Sequence, residues 1–491
     1  MSDATAGRKT VQMYLDETPY WEDGTKTTSV PLTKMQQRIW WLAAAGKFFE
    51  GLVVFMTGIA LPLIIKQFNL DGSLSHGLVT AATLAGILVG ATALGGLADT
   101  FGRKTMFVLE MALFTGFLVA LTFTPSFTLL IIFLFGMGLA LGCDYPTAHM
   151  VISESIPSRT RGKLVLGAFG FQAVGMLCGA GIGYLILVEN PALDAWRWMY
   201  ATAIIPALLV TLARFTVPES PHWLFSRGRR AEASRAAKIL LTRDPQYPKE
   251  VRLAEEELIS EPKGEEGEHR KGGILELFKR KNKRATVLAS VPWFLQDLGT
   301  YGIGIFTPVI LAASIGHKNE NAHNLTDLIH NDIQAAKGTA FLDLLFIVGI
   351  IFAILLADKV GRIRLQIFGF IGCAVGLTIA ALSSGFAGET QLALIFIGFM
   401  LFNFMTNLGP NAQTYLIAGE VFPTHIRGTG AGFAASFAKI GAVATAFLFP
   451  ILLDDLGQEV LLFGLVGAFL LGAVVTYAFR IETKGKSLED M

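Results

Sequence analysis

Cysteine and charge are both scarce in this chain of 491 residues. The three cysteines all lie within apolar runs, so we expect no disulfide framework. Residues 1–39 are mostly polar, and no cleavable signal peptide is expected before the first apolar run. The sequence also shows neither a nucleophile paired with a base nor a set of metal ligands. We therefore expect no enzyme activity, no bound metal and no cofactor.

Long apolar runs are what the chain does contain. Hydrophobic residues make up 52% of it against 16% charged residues, and 52 residues are glycine, which is common in membrane helices. A run of about 20 apolar residues is long enough to cross a bilayer as a helix. Such runs predict an all-α membrane protein with twelve transmembrane helices near residues 40–65, 76–98, 105–123, 127–152, 164–188, 197–216, 286–312, 338–357, 365–384, 391–418, 429–452 and 459–479.

A long polar segment divides the predicted spans into two sets of six. Its middle is acidic and its end is basic, a pattern typical of a solvated helix or a disordered linker. Lys and Arg are concentrated in the connections on one side only, which places both termini and the linker in the cytoplasm. The predicted organisation is an N-terminal tail (1–39), a first six-helix half (40–216), a linker (217–284), a second six-helix half (285–480) and a C-terminal tail (481–491).

Two charged motifs occur once in each half, at matching positions. An aspartate, a glycine and an arginine follow the second span of each half, and a Glu–Arg pair seven residues apart follows the fourth. Glycine permits a tight turn, and arginine presents a rigid fork of donors. We predict that these motifs latch the two halves together in one state; static bracing of the loops is the alternative. The motif residues of the first half are Asp99, Gly102, Arg103, Glu154 and Arg161, and those of the second half are Asp358, Gly361, Arg362, Glu420 and Arg427.

The ionisable residues within the apolar spans include a set of four: Glu50, Asp144, Asp297 and Lys439. Unpaired, they would add about 10–14 kcal/mol to the free energy of membrane insertion, more than the bracing of helices usually requires. They predict a polar pathway through the spans, although a structural role for Asp144 is the alternative. Lys439 needs a nearby acid, which Asp297 or Asp144 could supply. Lys47 lies one turn before Glu50, and the spacing leaves open whether their side chains face each other.

Helical spacing relates several further residues to these acids. Trp293, Asp297 and Tyr301 are four residues apart, so they share one face of a helix. His149 follows Asp144 by five residues, which directs its side chain about 140° away. This spacing favours a packed or loop-facing histidine over a ligand.

Three loop motifs resemble the sugar-porter branch of the major facilitator superfamily: PESPHWL after the sixth span, GEVFPTHIRG after the tenth and ETKGKSLED after the twelfth. The phosphate:proton symporters of that superfamily are the more specific match. Their fourth-span signature is similar to GCDYPTAHMVISE, their seventh-span motif to WFLQD with Tyr301, and their GPN motif to residues 409–411. Their eleventh-span motif is similar to AASFAKIGA, which contains Lys439. The resemblance implies two six-helix halves around a central substrate site.

The resemblance also implies which residues bind the substrate and which carry the proton. The chain departs from the family at Val53, where a second first-span aspartate is usual, and at Cys143, where glycine is usual. Glu50 is therefore the only first-span carboxylate left to carry a proton. The residues implied for the substrate are Asp144, Tyr145, Gln172, Trp293, Asp297, Tyr301, Asn411 and Lys439, and those implied for the proton are Glu50 and Asp144.

These observations predict a proton-coupled symporter of inorganic phosphate or a related oxyanion that works by alternating access. Phosphate keeps a proton that it can donate to a carboxylate, whereas sulfate has none to donate. We expect a monomer in the plasma membrane, with the substrate, protons and the lipid bilayer as partners and no nucleic acid. The alternatives are a proton-coupled porter of an organic solute (a sugar, glycerophosphodiester or organic acid) and a transporter-like nutrient sensor.

Overall fold

The structure is a computed structural model whose regular elements are helices. It describes residues 9–17, 31–94, 96–242, 253, 274–316, 325–423 and 426–483. Within these ranges, 11 helices are long and apolar enough to span a membrane. One of them, Arg427–Ala478, holds two spans because its backbone breaks at Gly457, where φ is 79°. The predicted fold of twelve transmembrane helices is therefore confirmed.

The first six spans form the first half of the molecule. The first of them begins earlier than predicted because Thr33 and Gln36 form a capping box that starts the helix at Lys34 rather than near residue 40. The six helices are α1 (Lys34–Phe68), α2 (Ser73–Leu94), α3 (Arg103–Thr122), α4 (Phe127–Ser155), α5 (Ser158–Glu189) and α6 (Ala195–Arg214).

The last six spans form the second half. The predicted connection at 453–458 is helical except at Gly457, so the last two spans follow each other without a loop. The tenth span bends at Gly409, just before Pro410. The six helices are α7 (Lys283–Gly316), α8 (Leu325–Val360), α9 (Arg362–Leu382), α10 (Gly388–Glu420), α11 (427–456) and α12 (458–478).

Short helices also occur in the segments predicted as tail and linker. Val11–Asp16 lies in the N-terminal tail, while Pro221–Ser226, Arg230–Leu241 and Ile274–Leu277 lie in the linker. Parts of the predicted tails and of the linker lie outside the described residues: 1–8, 18–30, 243–252, 254–273 and 484–491.

The two halves contact each other mainly along two helix pairs, α5 with α8 and α2 with α11. The turns at Gly102 and Gly361 lie at one end of the helices, which we call the motif end; the opposite end is the far end. Near the far end, the hydroxyl of Thr80 in α2 donates to the carbonyl oxygen of Ala446 in α11 at 2.6 Å. Direct contact between the halves therefore closes the far end at this helix pair.

Candidate functional site

Four charged side chains meet near the middle of the helices, where the two halves face each other. Lys47 and Glu50 come from α1, Asp297 from α7 and Lys439 from α11. Lys47 forms an ion pair with Oε2 of Glu50. The Lys439 ammonium lies 3.3 Å from Oδ2 of Asp297 and 3.7 Å from Oε1 of Glu50. Each of these side chains is at most 13% exposed; we call the four residues the charge cluster.

The charge cluster resolves two questions that the sequence left open. Lys47 and Glu50 do face each other, and of the two acids offered to Lys439 it is Asp297 that contacts it. Two ammonium groups and two carboxylates sum to zero charge when all four are ionised. Buried ions are tolerated only when they are paired in this way. Any change in the charge of one member therefore leaves another member without its counter-ion.

The hydroxyl of Tyr301 links the cluster across the two halves. It accepts a hydrogen bond from Lys439 at 2.6 Å and donates one to Oε1 of Glu50 at 2.8 Å. The amide of Gln172 on α5 donates to the same hydroxyl at 3.1 Å. A tyrosine hydroxyl can donate and accept at once, so a single atom joins groups from α1, α5, α7 and α11.

A narrow cavity adjoins the charge cluster; we call it the central cavity. A few polar groups within apolar and aromatic walls are typical of a small-molecule binding site. The structure brings together here most of the residues that the resemblance implies for the substrate. Asp297 contacts Lys439 at its edge, whereas Asp144 does not line it. The lining residues are Lys47, Ile87, Ala91, Tyr145, Phe169, Gln172, Trp293, Tyr301, Asn411, Ala435 and Lys439.

Asp144 has a partner that sequence reasoning missed. Its carboxylate forms an ion pair with Arg214 at the end of α6, and this arginine is fully buried. The guanidinium also donates to the carbonyl oxygen of Phe107 at 2.7 Å and to that of Leu42 at 3.0 Å. The arrangement joins α1, α3, α4 and α6, which is the bracing role left as the alternative for Asp144. The only available signal was a single arginine at the end of an apolar run.

The surroundings of this ion pair are tightly packed. A Cβ atom added at Gly46 in α1 would lie 1.7 Å from Oδ2 of Asp144, so only glycine fits at that position. Glu110 is buried nearby and accepts a hydrogen bond from the Thr147 hydroxyl at 2.8 Å. Asp144 thus belongs to a second group of charges that lies entirely within the first half.

A second narrow cavity extends from Lys47 and Glu50 toward the motif end; we call it the vestibule. Its walls include His149, whose exposed ring lies 6.3 Å from that of Tyr415, measured between centroids. The ring thus packs against Tyr415 at the wall of the vestibule, and the preference for a packed histidine over a ligand stays a prediction. Asp144 and His149 both line this cavity because it is longer than one turn of α4 and reaches side chains on more than one face.

The charged motifs form networks within each half, and their pairing differs from the prediction. Glu154 pairs with Arg103 at 3.0 Å rather than with Arg161, whose guanidinium donates to Gln12 in the N-terminal tail at 3.0 Å. Asp99 also lies 3.0 Å from Arg103. These partners all belong to the first half or its tail, so in this structure they brace that half, and a latch between the halves in another state stays a prediction.

The second half repeats this pattern. Arg362 pairs with Glu420 at 3.2 Å, while Nε of Arg427 donates to the carbonyl oxygen of Phe422 at 3.1 Å. The side chain of Asp358 lies outside the described residues.

A glutamate missed by sequence reasoning completes each network. Oε1 of Glu219 accepts from the backbone N–H of Lys104 at 3.0 Å, and Oε1 of Glu482 accepts from that of Arg362 at 3.1 Å. Both carboxylates sit at a helix N-terminus, where unpaired N–H groups favour negative charge. The preceding glycines have φ of 101° and 105°, as expected for the predicted turns. The two glutamates lie in PESPHWL and ETKGK, the loop motifs that first suggested a family.

Twelve helices in two halves around a buried, charged cavity define a secondary membrane transporter. The chain belongs to the Sugar (and other) transporter family, whose model matches residues 40–491. The predicted membership of the major facilitator superfamily, in its sugar-porter branch, is thereby confirmed.

Relatives of the chain carry different substrate descriptions. The Inner membrane metabolite transport protein YgcS of Escherichia coli (strain K12) is 30% identical, with 94% of each chain covered. The Repressible high-affinity phosphate permease of Neurospora crassa is also 30% identical, covering 82% of this chain and 75% of the permease. A partially occluded inward-open structure of the xylose transporter XylE from E. coli shares the fold, with a TM-score of 0.73, 23% identity, and coverage of 93% of this chain and all of that one.

Proposed function

We propose that this transporter is a proton-coupled symporter of inorganic phosphate or a closely related oxyanion. The observation that carries the proposal is the position of Lys439. Its ammonium lies at the edge of the central cavity, held by Asp297 and Tyr301 of its own half, and within 3.7 Å of Glu50 from the other half. An anion entering the cavity would find a cation that is already oriented.

In the proposed coupling, Glu50 is the group that takes up the proton and loses its charge. While ionised, Glu50 pairs with Lys47 through Oε2 and with Lys439 through Oε1. A proton on Glu50 removes that negative charge and leaves the cluster with a charge of +1, which one negative charge of the substrate balances. Proton and anion then enter together because each neutralises the effect of the other.

Phosphate suits the remaining groups around the cavity. It can accept from Lys439, Tyr145 and the indole N–H of Trp293, and its own proton can be donated to a carboxylate such as Asp297. The likeness to a fungal phosphate permease over 82% of the chain supports this substrate. In this proposal the motif end faces the cytoplasm of the cell, both termini lie there, and the monomer in the plasma membrane is the working unit.

A second candidate substrate is an anionic organic metabolite. The rings of Tyr145, Phe169 and Trp293 line the central cavity, and aromatic faces bind apolar parts of a ligand that inorganic phosphate lacks. The metabolite transport proteins among the relatives support this alternative.

Uptake into liposomes tests both candidates. Purified protein is reconstituted, a pH gradient is imposed with the acidic side outside, and accumulation of radiolabelled phosphate is followed with and without a protonophore. We expect accumulation that the protonophore abolishes and that sulfate and sugars do not inhibit. If phosphate does not accumulate but a radiolabelled organic acid or phosphate ester does, in a way that the protonophore abolishes, the second candidate is favoured.

A further inference from the structure

We propose that Lys47 is a second anion-binding residue of the central cavity and that, with Lys439, it forms a clamp with one ammonium group from each half. This inference rests on the proposed function, since it concerns the same anion. Neither the motifs of the sequence nor the resemblance to phosphate symporters assigns a role to Lys47.

The first support is the position of the two ammonium groups on one carboxylate. Lys47 contacts Oε2 of Glu50, and Lys439 lies 3.7 Å from Oε1 of the same residue. The two lysines, one on α1 and the other on α11, therefore each face a different oxygen of the Glu50 carboxylate. An anion that replaces the charge of Glu50 meets both cations.

The second support is that Lys47 can be reached by a ligand. Lys47 lines both the central cavity and the vestibule, as do Tyr145 and Phe169. Its ammonium lies 4.0 Å from the centroid of the Tyr145 ring and 5.5 Å from that of Phe169. These rings hold the cation by cation–π contacts without neutralising it. Lys47 thus lies at the boundary that the two cavities share.

The charges around Glu50 show why the second cation matters. Glu50 faces Lys47 on its own helix, Lys439 on α11, and Tyr301 on α7, with Asp297 on the far side of Lys439. With Glu50 protonated and no anion bound, Lys47 has no carboxylate partner in the cluster and the two lysines repel each other across the half–half boundary. Closure around a protonated but empty site is thereby disfavoured. The clamp therefore disfavours transport of a proton without the substrate.

Variants made in a Glu50→Gln background separate anion binding by Lys47 from its pairing with Glu50. Binding of radiolabelled inorganic phosphate is measured at fixed pH on the purified full chain, using wild type, Glu50→Gln, and Glu50→Gln combined with Lys47→Gln or Lys47→Arg. We expect Glu50→Gln to bind phosphate more tightly than wild type. Adding Lys47→Gln should weaken that binding about ten-fold or more, as for loss of a charged hydrogen bond, whereas Lys47→Arg should largely retain it. Monodispersity and melting temperature show which variants remain folded.

The control is Lys439→Gln in the same Glu50→Gln background, which should abolish binding. If Lys47→Gln leaves phosphate affinity in that background unchanged while Lys439→Gln abolishes binding, Lys47 only neutralises Glu50; the clamp is then refuted and the proposed function stands. If the Lys439 variant also binds normally, or if no variant binds phosphate, the proposed anion site is refuted together with the clamp.

Discussion

Replacing Arg214 by methionine tests whether Asp144 braces the first half or serves the substrate. Methionine keeps much of the length and apolar character of the arginine stem but removes its charge and donors. The change leaves Asp144 without its counter-ion and two backbone carbonyl groups, of Leu42 and Phe107, without their donors. Removing one partner of a buried ion pair destabilises a protein by about 3–5 kcal/mol. We expect a loss within that range because Arg214 is fully buried.

The assay is unfolding in mixed detergent micelles, followed by the fluorescence of the native tryptophans. Adding Asp144→Asn to Arg214→Met should recover part of the lost stability, since it removes the unpaired carboxylate. Arg229→Met is the control: its ion pair with Glu232 is exposed to solvent, so its loss should leave stability unchanged. An Arg214→Met variant as stable as wild type would refute the bracing role. A stable double variant that has lost phosphate binding would show that Asp144 serves the substrate site.

Three further predictions concern single residues. Lys439→Ala should abolish phosphate binding in a folded protein; near-native affinity would show that the anion is held elsewhere. Glu50→Gln should retain exchange of internal for external phosphate in vesicles but lose uptake driven by a pH gradient, and persisting gradient-driven uptake would assign the proton to another acid. Gly102→Ala should lower the free energy of unfolding by about 1–3 kcal/mol, because φ there is 101° and an added Cβ would lie 2.4 Å from a carboxylate oxygen; Gly116→Ala, with open space around it, is the matched control.

The fold was predictable because each span carries its own signal. A run of about 20 apolar residues must form a helix in a bilayer, whatever the rest of the chain does. The errors lie at helix ends, where local chemistry decides. The capping box at Thr33 starts α1 early, and the break at Gly457 replaces a loop between α11 and α12. Neither feature changes hydropathy enough to be visible in an apolar run.

From helical spacing alone, the site was predictable only where one helix contains the information. The shared face of Trp293 and Tyr301 follows from spacing along α7, and both do line the central cavity. The partner of Asp144 does not follow from spacing, because it comes from α6, 70 residues away along the chain. The pairing of Glu154 with Arg103 depends likewise on how α3 lies against α4. In each case, the packing of the helices determines which acid pairs with which base, and the sequence alone allows several pairings.

The two groups of buried charge differ in one respect that bears on coupling. Asp144, Glu110 and Arg214 lie on helices of the first half alone, whereas the charge cluster takes members from both halves. In alternating access by rocking of rigid halves, contacts within a half persist through the cycle and contacts between halves change. Only the charge cluster can therefore exchange its internal partners for substrate and proton as the halves move. The proposed coupling consequently places the transported proton on Glu50, at the boundary between the halves, and leaves the Asp144–Arg214 pair to hold the first half rigid around it.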